Sequence, residues 1–367
     1  MEIDKIFFEL IRVAIGTQIC LSRQPSNKEW KALYDTAKKQ SLVGVSFAAL
    51  QRLGADANEG YTRIGMSEIL YLTWMGMAAK IQQKNQTVDE QCVALQKRLA
   101  ADGFRSCVLK GQGVAQLYGM LSGLRQSGDI DIWVDGKMEY ILDWMKKLGV
   151  KLGDIDSVHV PAEFFEDTEV EVHFRPSYMY NPTAERLLMD FFEKNAIEQF
   201  ENIDQSVGFT YPTVAFNLIF SLVHINRHIY SEGIGLRQLM DYFMILQASS
   251  SDERKAAFEL MRKMYLGRFI SGVMYIEQKI FGLSADKMLC YADEKEGEFL
   301  LQEIMIGGNF GHYDERNSNL PKSMRWLRGL WTLKRMMRYL THYPHEVLSI
   351  PVWKLKHYLW RKKNGYI

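Results

Sequence analysis

The chain opens on apolar residues spaced for helices. Ile6, Phe7, Leu10, Ile11 and Ala14 share one face, and Trp30, Leu33, Tyr34 and Ala37 repeat the pattern after the break at Pro25-Ser26-Asn27. A longer helical stretch follows over 66–99. The period then changes: residues 104–109 form a short apolar run that predicts a buried strand, closed by Lys110-Gly111-Gln112-Gly113, with a helix expected over 114–120. Residues 129–134 alternate strictly, placing Ile130, Ile132 and Val134 on one face and Asp129, Asp131 and Trp133 on the other. A helix is expected over about 138–148 and strands at 157–160 and 168–175, the second with Val170, Val172 and Phe174 opposite Glu169, Glu171 and His173. From Thr213 to about Gly307 the pattern is helical again, notably over 214–230, 236–246 and 268–280. These periods predict an α+β protein with a small sheet embedded in a predominantly helical chain. The expected division is an N-terminal helical region (1–99), an α/β core (100–176), a C-terminal helical domain (177–310) and a tail (311–367).

Composition adds limits. A chain of 367 residues, 47% of them hydrophobic, is long enough for more than one core. Lys plus Arg (45) balances Asp plus Glu (44), so no global charge marks a nucleic-acid coat, and specific nucleic-acid recognition is not expected. The charge story is local. Residues 321–367 hold eleven Lys/Arg against one acid, Glu346, and four of the eight tryptophans (Trp326, Trp331, Trp353, Trp360). Such a tail packs on the helices, lies weakly on an anionic membrane surface, or follows a nucleic-acid backbone. The four cysteines have no metal-ligand or disulfide spacing, the N-terminus has no secretory pattern, and no apolar run approaches the roughly 20 residues that span a bilayer. A cytoplasmic protein is expected.

Chemistry concentrates around Asp129 and Asp131. Two aspartates at i and i+2 on a strand point to one side and form a rigid oxygen platform for Mg²⁺, which keeps open positions for substrate phosphates. A third carboxylate on a neighbouring strand completes a two-metal phosphoryl-transfer site; Glu171 fits by face, with Glu169 as its rival. The glycine turn 110–113 lets backbone N–H groups approach phosphate at a helix start, and Lys110 and Arg125 are further phosphate donors. Lys110 reads equally well as an exposed strand-end lysine. A second Gly-Asp-Ile-Asp at 153–156 is followed by Ser157 rather than an apolar strand and reads as a polar turn. His173 either orients a carboxylate or substrate, or is a hydrogen-bonded strand histidine. His224 and His228, one helical turn apart with no glutamate motif, read as packing or substrate contacts rather than metal ligands. Arg237 and Asp241 form either an intrahelical ion pair or part of a cleft wall.

The run Val108-Leu109-Lys110-Gly111, Leu117-Tyr118, Leu124-Arg125-Gln126-Ser127-Gly128-Asp129-Ile130-Asp131-Ile132 and Val170-Glu171-Val172-His173-Phe174-Arg175 resembles the bacterial uncharacterised nucleotidyltransferase family of the polymerase β-like superfamily. Flanking likeness includes Trp30-Lys31-Ala32-Leu33, His224 and the segment 235–241, so that it covers about residues 5–250. The resemblance implies a mixed polymerase β-like sheet and metal-dependent transfer of an NMP group from an NTP to a small molecule or protein. It makes Asp129, Asp131 and Glu171 the carboxylate triad for two Mg²⁺ or Mn²⁺ ions. It assigns Lys110, Gly111, Gln112, Gly113, Arg125, Ser127 and Gly128 to the nucleotide, and His173, Arg175, His224, His228, Arg237 and Asp241 to substrate contacts. One departure is Gln112, where the wider superfamily carries Gly-Gly or Gly-Ser. The rival readings are a catalytically silent nucleotide-binding module of the same fold and a helical scaffold with a membrane-surface tail.

Overall fold

The computed structural model describes residues 2–54, 60–314, 316 and 325–366. Residues 321–324 and the side chains of Trp326 and Trp331, part of the basic tail, lie outside the described residues. Before the sheet come α1 (Glu2–Ile15), α2 (Asn27–Lys39), α3 (Val43–Arg52), the single turn α4 (Gly60–Arg63) and the 34-residue α5 (Glu68–Ala101). Ser26 and Glu29 start α2 with a reciprocal capping box, which explains why the helix begins directly after Pro25.

The α/β unit contains β1 (Ser106–Leu109), α6 (Gly111–Ala115), β2 (Ile130–Val134), α7 (Met138–Lys147), β3 (His159–Ala162) and β4 (Val170–His173). The strand order is β1-β2-β4-β3; β2 and β4 run parallel, and both outer pairs are antiparallel. The chain is predominantly helical, as the periodicity predicts, and the sheet is mixed, as the resemblance implies. Each face meets its own core. Ile130, Ile132, Val134, Val170 and Val172 pack with Val88, Cys92, Leu95 and Leu99 of α5 and with Ile141 and Met145 of α7. On the opposite face Trp133 stacks among Phe192, Phe200 and Phe216. The alternation in β2 is therefore a division between two cores, and the aspartates share the face that looks toward the later helices.

Those later elements are α8 (Pro182–Glu201), a hairpin of β5 (Ile203–Asp204) and β6 (Phe209–Thr210), α9 (Val214–Ser231), α10 (Leu236–Ala248), α11 (Ser251–Lys263), α12 (Gly267–Ile276), α13 (Glu294–Gly307), α14 (Arg325–Leu340) and α15 (Pro344–Lys363). Helices before and after the sheet share one core, in which Phe7, Trp30 and Trp74 join Phe220, Tyr242 and Phe281. No described helix is long and apolar enough to cross a membrane.

Three expectations shift. The helix expected over 114–120 is instead the five-residue α6 followed by a 3₁₀ run, Gln116–Leu124, broken at Gly119 with φ +55°. The strand expected at 157–160 starts at His159, because Asp156 Oδ1 accepts from the N–H groups of Val158 and His159 and holds them in a turn. The β5–β6 hairpin, with Gly208 at φ +80°, interrupts the helical reading of 177–310.

Candidate active site

Parallel pairing of β2 and β4 puts Asp131 directly opposite Glu171. Carboxylate oxygens of Asp129, Asp131 and Glu171 lie within 4.8 Å of one another. Asp131 is 3% exposed, and its Oδ1 receives both Lys110 Nζ at 2.7 Å and His173 Nε2 at 2.8 Å. The charge of Asp131, then burial, pushes the Asp129 carboxyl above its ordinary range. Burial alone would raise Glu171 as well, but its bond to His173 and the Lys110 charge hold it down at about 2. His173 is buried, which lowers an imidazole, yet its bonds to Asp131 and Glu171 win and raise it. Glu169 is exposed and stands outside the triad, its carboxyl raised by slight desolvation and by the Asp129 charge. Three acids thus share too little positive charge. A hard divalent cation suits that donor set, and Asp129, Asp131 and Glu171 are the residues that would hold it.

Lys110 reaches the triad through an unusual backbone. In a continued strand its side chain would follow Val108 into the core beneath the sheet; φ +49° and ψ −141° swing it to the aspartate face instead. Gly111, at φ +26°, completes the turn and lines the cavity. The rest of the turn does not. Gln112 is buried and donates to Asp89 Oδ1 at 2.7 Å. A Cβ at Gly113 would lie 2.8 Å from Val108 O and from Tyr211 Cβ, so that glycine serves close packing. Ser127 lies outside the cavity lining, whereas Arg125 and Gly128 belong to it. With only five residues, α6 adds little dipole to phosphate binding.

The cavity measures about 720 Å³ and is walled opposite the sheet by α9 and α10. Of the two readings of Arg237 and Asp241, the cleft wall is the one observed: both line the cavity and each bonds outside its own helix. Asp241 takes a bidentate bond from Arg125, both contacts at 2.7 Å, and a 2.6 Å bond from the Tyr118 hydroxyl. Arg237 donates to the Gln126 carbonyl at 2.8 Å, and its buried Nε has no hydrogen-bond partner. Burial, then the neighbouring Arg125 charge, lowers the Arg237 guanidinium. His224 and His228 both line the cavity with ring centroids 4.2 Å apart, and Arg227 bonds His228 at 2.9 Å. Burial drives both imidazoles down, His228 to about 4. Arg175 lies outside the lining and pairs with Glu185 of α8 at 2.6 Å.

Several lining residues escape sequence reasoning. His159 faces His173 across β3–β4, and its place between Val158 and Val160 signals a side chain on the Glu171 face. Asp156 belongs to the segment that reads as a polar turn, yet it lines the cavity beside His159. Phe310 and His312 come from a turn at 308–312 that no pattern marks. Gly308, Phe310 and Gly311 there all have positive φ, and a Cβ on Gly311 would lie 2.1 Å from Glu232 O. Asn309 accepts from Gln238 at 3.2 Å, which ties this rim to α10.

Residues 26–282 match the family described as uncharacterised nucleotidyltransferase. No curated protein matches the chain. The match spans the sheet, the carboxylate cluster and both facing helices, and it supports nucleotidyl transfer with an NTP as substrate in general terms. The chain belongs to the uncharacterised nucleotidyltransferase family.

Proposed function

We propose that the protein is a metal-dependent enzyme of the polymerase β-like superfamily, moving an NMP group from an NTP to a hydroxyl or phosphate of a small molecule or protein. The observation that carries this reading is the pairing of Asp131 with Glu171 across parallel strands, with Asp129 on the same face and Lys110 bonded to Asp131. Bound Mg²⁺ or Mn²⁺, two ions in this reading, supplies charge neutralisation of the triphosphate and acidification of the acceptor hydroxyl. The chain's own groups do the positioning. Lys110 and Arg237 offer cations to the phosphates, while Gly111 and Gly128 keep the floor free of side chains. The acceptor oxygen bonds to the α-phosphorus, the bond to the pyrophosphate leaving group breaks, and Glu171 either holds the activating ion or accepts the hydroxyl proton. Residues 100–176 act as the catalytic unit, and the helices on either side form its walls.

Incubation of the full chain with isotope-labelled NTPs, Mg²⁺ or Mn²⁺ and a panel of acceptors should release pyrophosphate, and Asp131→Ala should abolish it. Release that survives this substitution would sink the mechanism. NTP-dependent thermal stabilisation without release under any acceptor favours the silent module.

A second reading concerns the tail. Leu348, Val352, Leu355 and Leu359 of α15 are each more than half exposed at helical spacing, beside Lys356, Lys362 and Lys363. That arrangement suits an anionic lipid surface. The other side of the tail packs inward, with Trp353 stacked on Tyr178 at 4.4 Å. Co-sedimentation with anionic liposomes, compared with a Leu355→Lys, Leu359→Lys variant, decides it: equal pelleting leaves only the packing role.

A further inference from the structure

We propose that His159, Glu171 and His173 form a second metal site, one that takes a divalent transition-metal ion in preference to Mg²⁺. It shares Glu171 with the carboxylate triad, but its metal preference can be tested without nucleotidyl transfer. One ligand atom from each of the three lies within 4.8 Å of the others. Glu171 sits between the rings, Oε1 3.7 Å from His159 Nε2 and Oε2 3.5 Å from His173 Nε2. Donors on one tetrahedral ion with bonds of about 2.0–2.1 Å stand about 3.4 Å apart, so small side-chain shifts suffice.

Strand pairing builds this arrangement. His159 and His173 are direct antiparallel partners, and Glu171 lies two residues before His173 on the same face. The outward-facing nitrogens are also provided for. His173 Nδ1 lies 3.4 Å from the Arg175 carbonyl, and His159 Nδ1 is buried without a hydrogen-bond partner, 3.9 Å from Asp156 Oδ2. A carbonyl or carboxylate behind each Nδ1 is the usual outer support of a metal-bound imidazole, and His173 Nε2 exchanges its 2.8 Å bond to Asp131 Oδ1 for the ion. His159, Glu171 and Asp156 line the cavity, which gives an ion its path.

The donor set decides the ion. Imidazole nitrogen suits zinc, iron, cobalt and nickel, whereas Mg²⁺ prefers oxygen alone. The triad and this group therefore offer two chemically different sites joined by one carboxylate.

Metal-stripped full-length protein is titrated with Co²⁺ and followed by its visible absorption. The expected result is a saturable spectrum that Zn²⁺ displaces and excess Mg²⁺ does not. His159→Ala should weaken Co²⁺ binding by about 100-fold or more and Asp156→Asn by about 10–100-fold. Asp129→Asn should keep the spectrum, so that failure of the nucleotidyl-transfer reading leaves this test standing. X-ray absorption of the Co²⁺-loaded native chain supplies a second measure that needs no substitution to fold. Imidazole nitrogen around cobalt supports the site; an all-oxygen shell, or Mg²⁺ competing as well as Zn²⁺, overturns it.

Discussion

Asp131 and Asp241 are both buried aspartates on the same cavity, each with a cation 2.7 Å away, yet their surroundings differ in charge balance. Asp241 has Arg125 to itself in a two-pronged bond, with Tyr118 on the same carboxylate. Asp131 shares Lys110 and His173 with Glu171, while Asp129 adds a third negative charge. The first arrangement is matched in charge and holds the 3₁₀ run, Arg125 and α10 together. The second is short of cations and waits for more. On this cavity the acid whose charge is matched holds structure together, and the cluster short of cations is the candidate for chemistry.

The contrast can be broken from either side. Asp131→Asn should cost at least about 10²–10³-fold in NTP turnover, the scale of removing one group that stabilises transition-state charge. Its thermal unfolding should move less, since the Lys110 side chain, 19% exposed, can turn toward water and buried His173 keeps Glu171 as a partner. Asp241→Asn should do the reverse, destabilising the fold by about 3 kcal/mol in denaturant titrations, because Arg125 would keep a buried charge unpaired. Glu346 sharpens the comparison from a third position. It is 4% exposed and accepts from the N–H groups of Tyr180 at 2.9 Å and Asn181 at 3.2 Å. Burial pushes its carboxyl up to about 7. A raised carboxylate favours the fold when protonated, so this contribution is whole below the ordinary value of 4.5 and is lost as pH climbs through about 7. Unfolding free energy should fall by up to about 3 kcal/mol between about pH 5 and 8, and Glu346→Gln should flatten that slope. Glu277 is the extreme case, fully buried with neither carboxyl oxygen bonded and held well above the ordinary range by burial. Glu277→Met should raise stability by about 1 kcal/mol, read from the denaturation midpoint. Asp154→Asn, with a side chain 95% exposed, should change stability by less than about 0.5 kcal/mol and leave turnover untouched.

Asp154 belongs to the second Gly-Asp-Ile-Asp, and the two copies show how far the sequence can be read. Residues 128–131 run into Ile132 and Val134, whose apolar side chains fix a strand and so fix where the aspartates point. Residues 153–156 run into Ser157 and form no strand among the described residues. Alternation alone puts Asp129, Asp131 and Glu171 on matching faces, because period and side-chain direction are the same fact in a strand. Partners across long sequence distances stay hidden. That Asp241 meets Arg125, or that His159 meets Glu171, depends on how helices and edge strands dock, and no local period encodes docking. Asp156 reads only as part of a polar turn, although the turn itself carries it into the cavity.

The rim at 308–312 lies beyond the matched residues 26–282, although Phe310 and His312 complete the cavity. The carboxylate cluster therefore lies inside the matched segment and this rim outside it, the rim being anchored by Asn309 and Gly311. Changing residues 308–312 therefore reshapes one wall of the cavity while leaving the carboxylate cluster as it is.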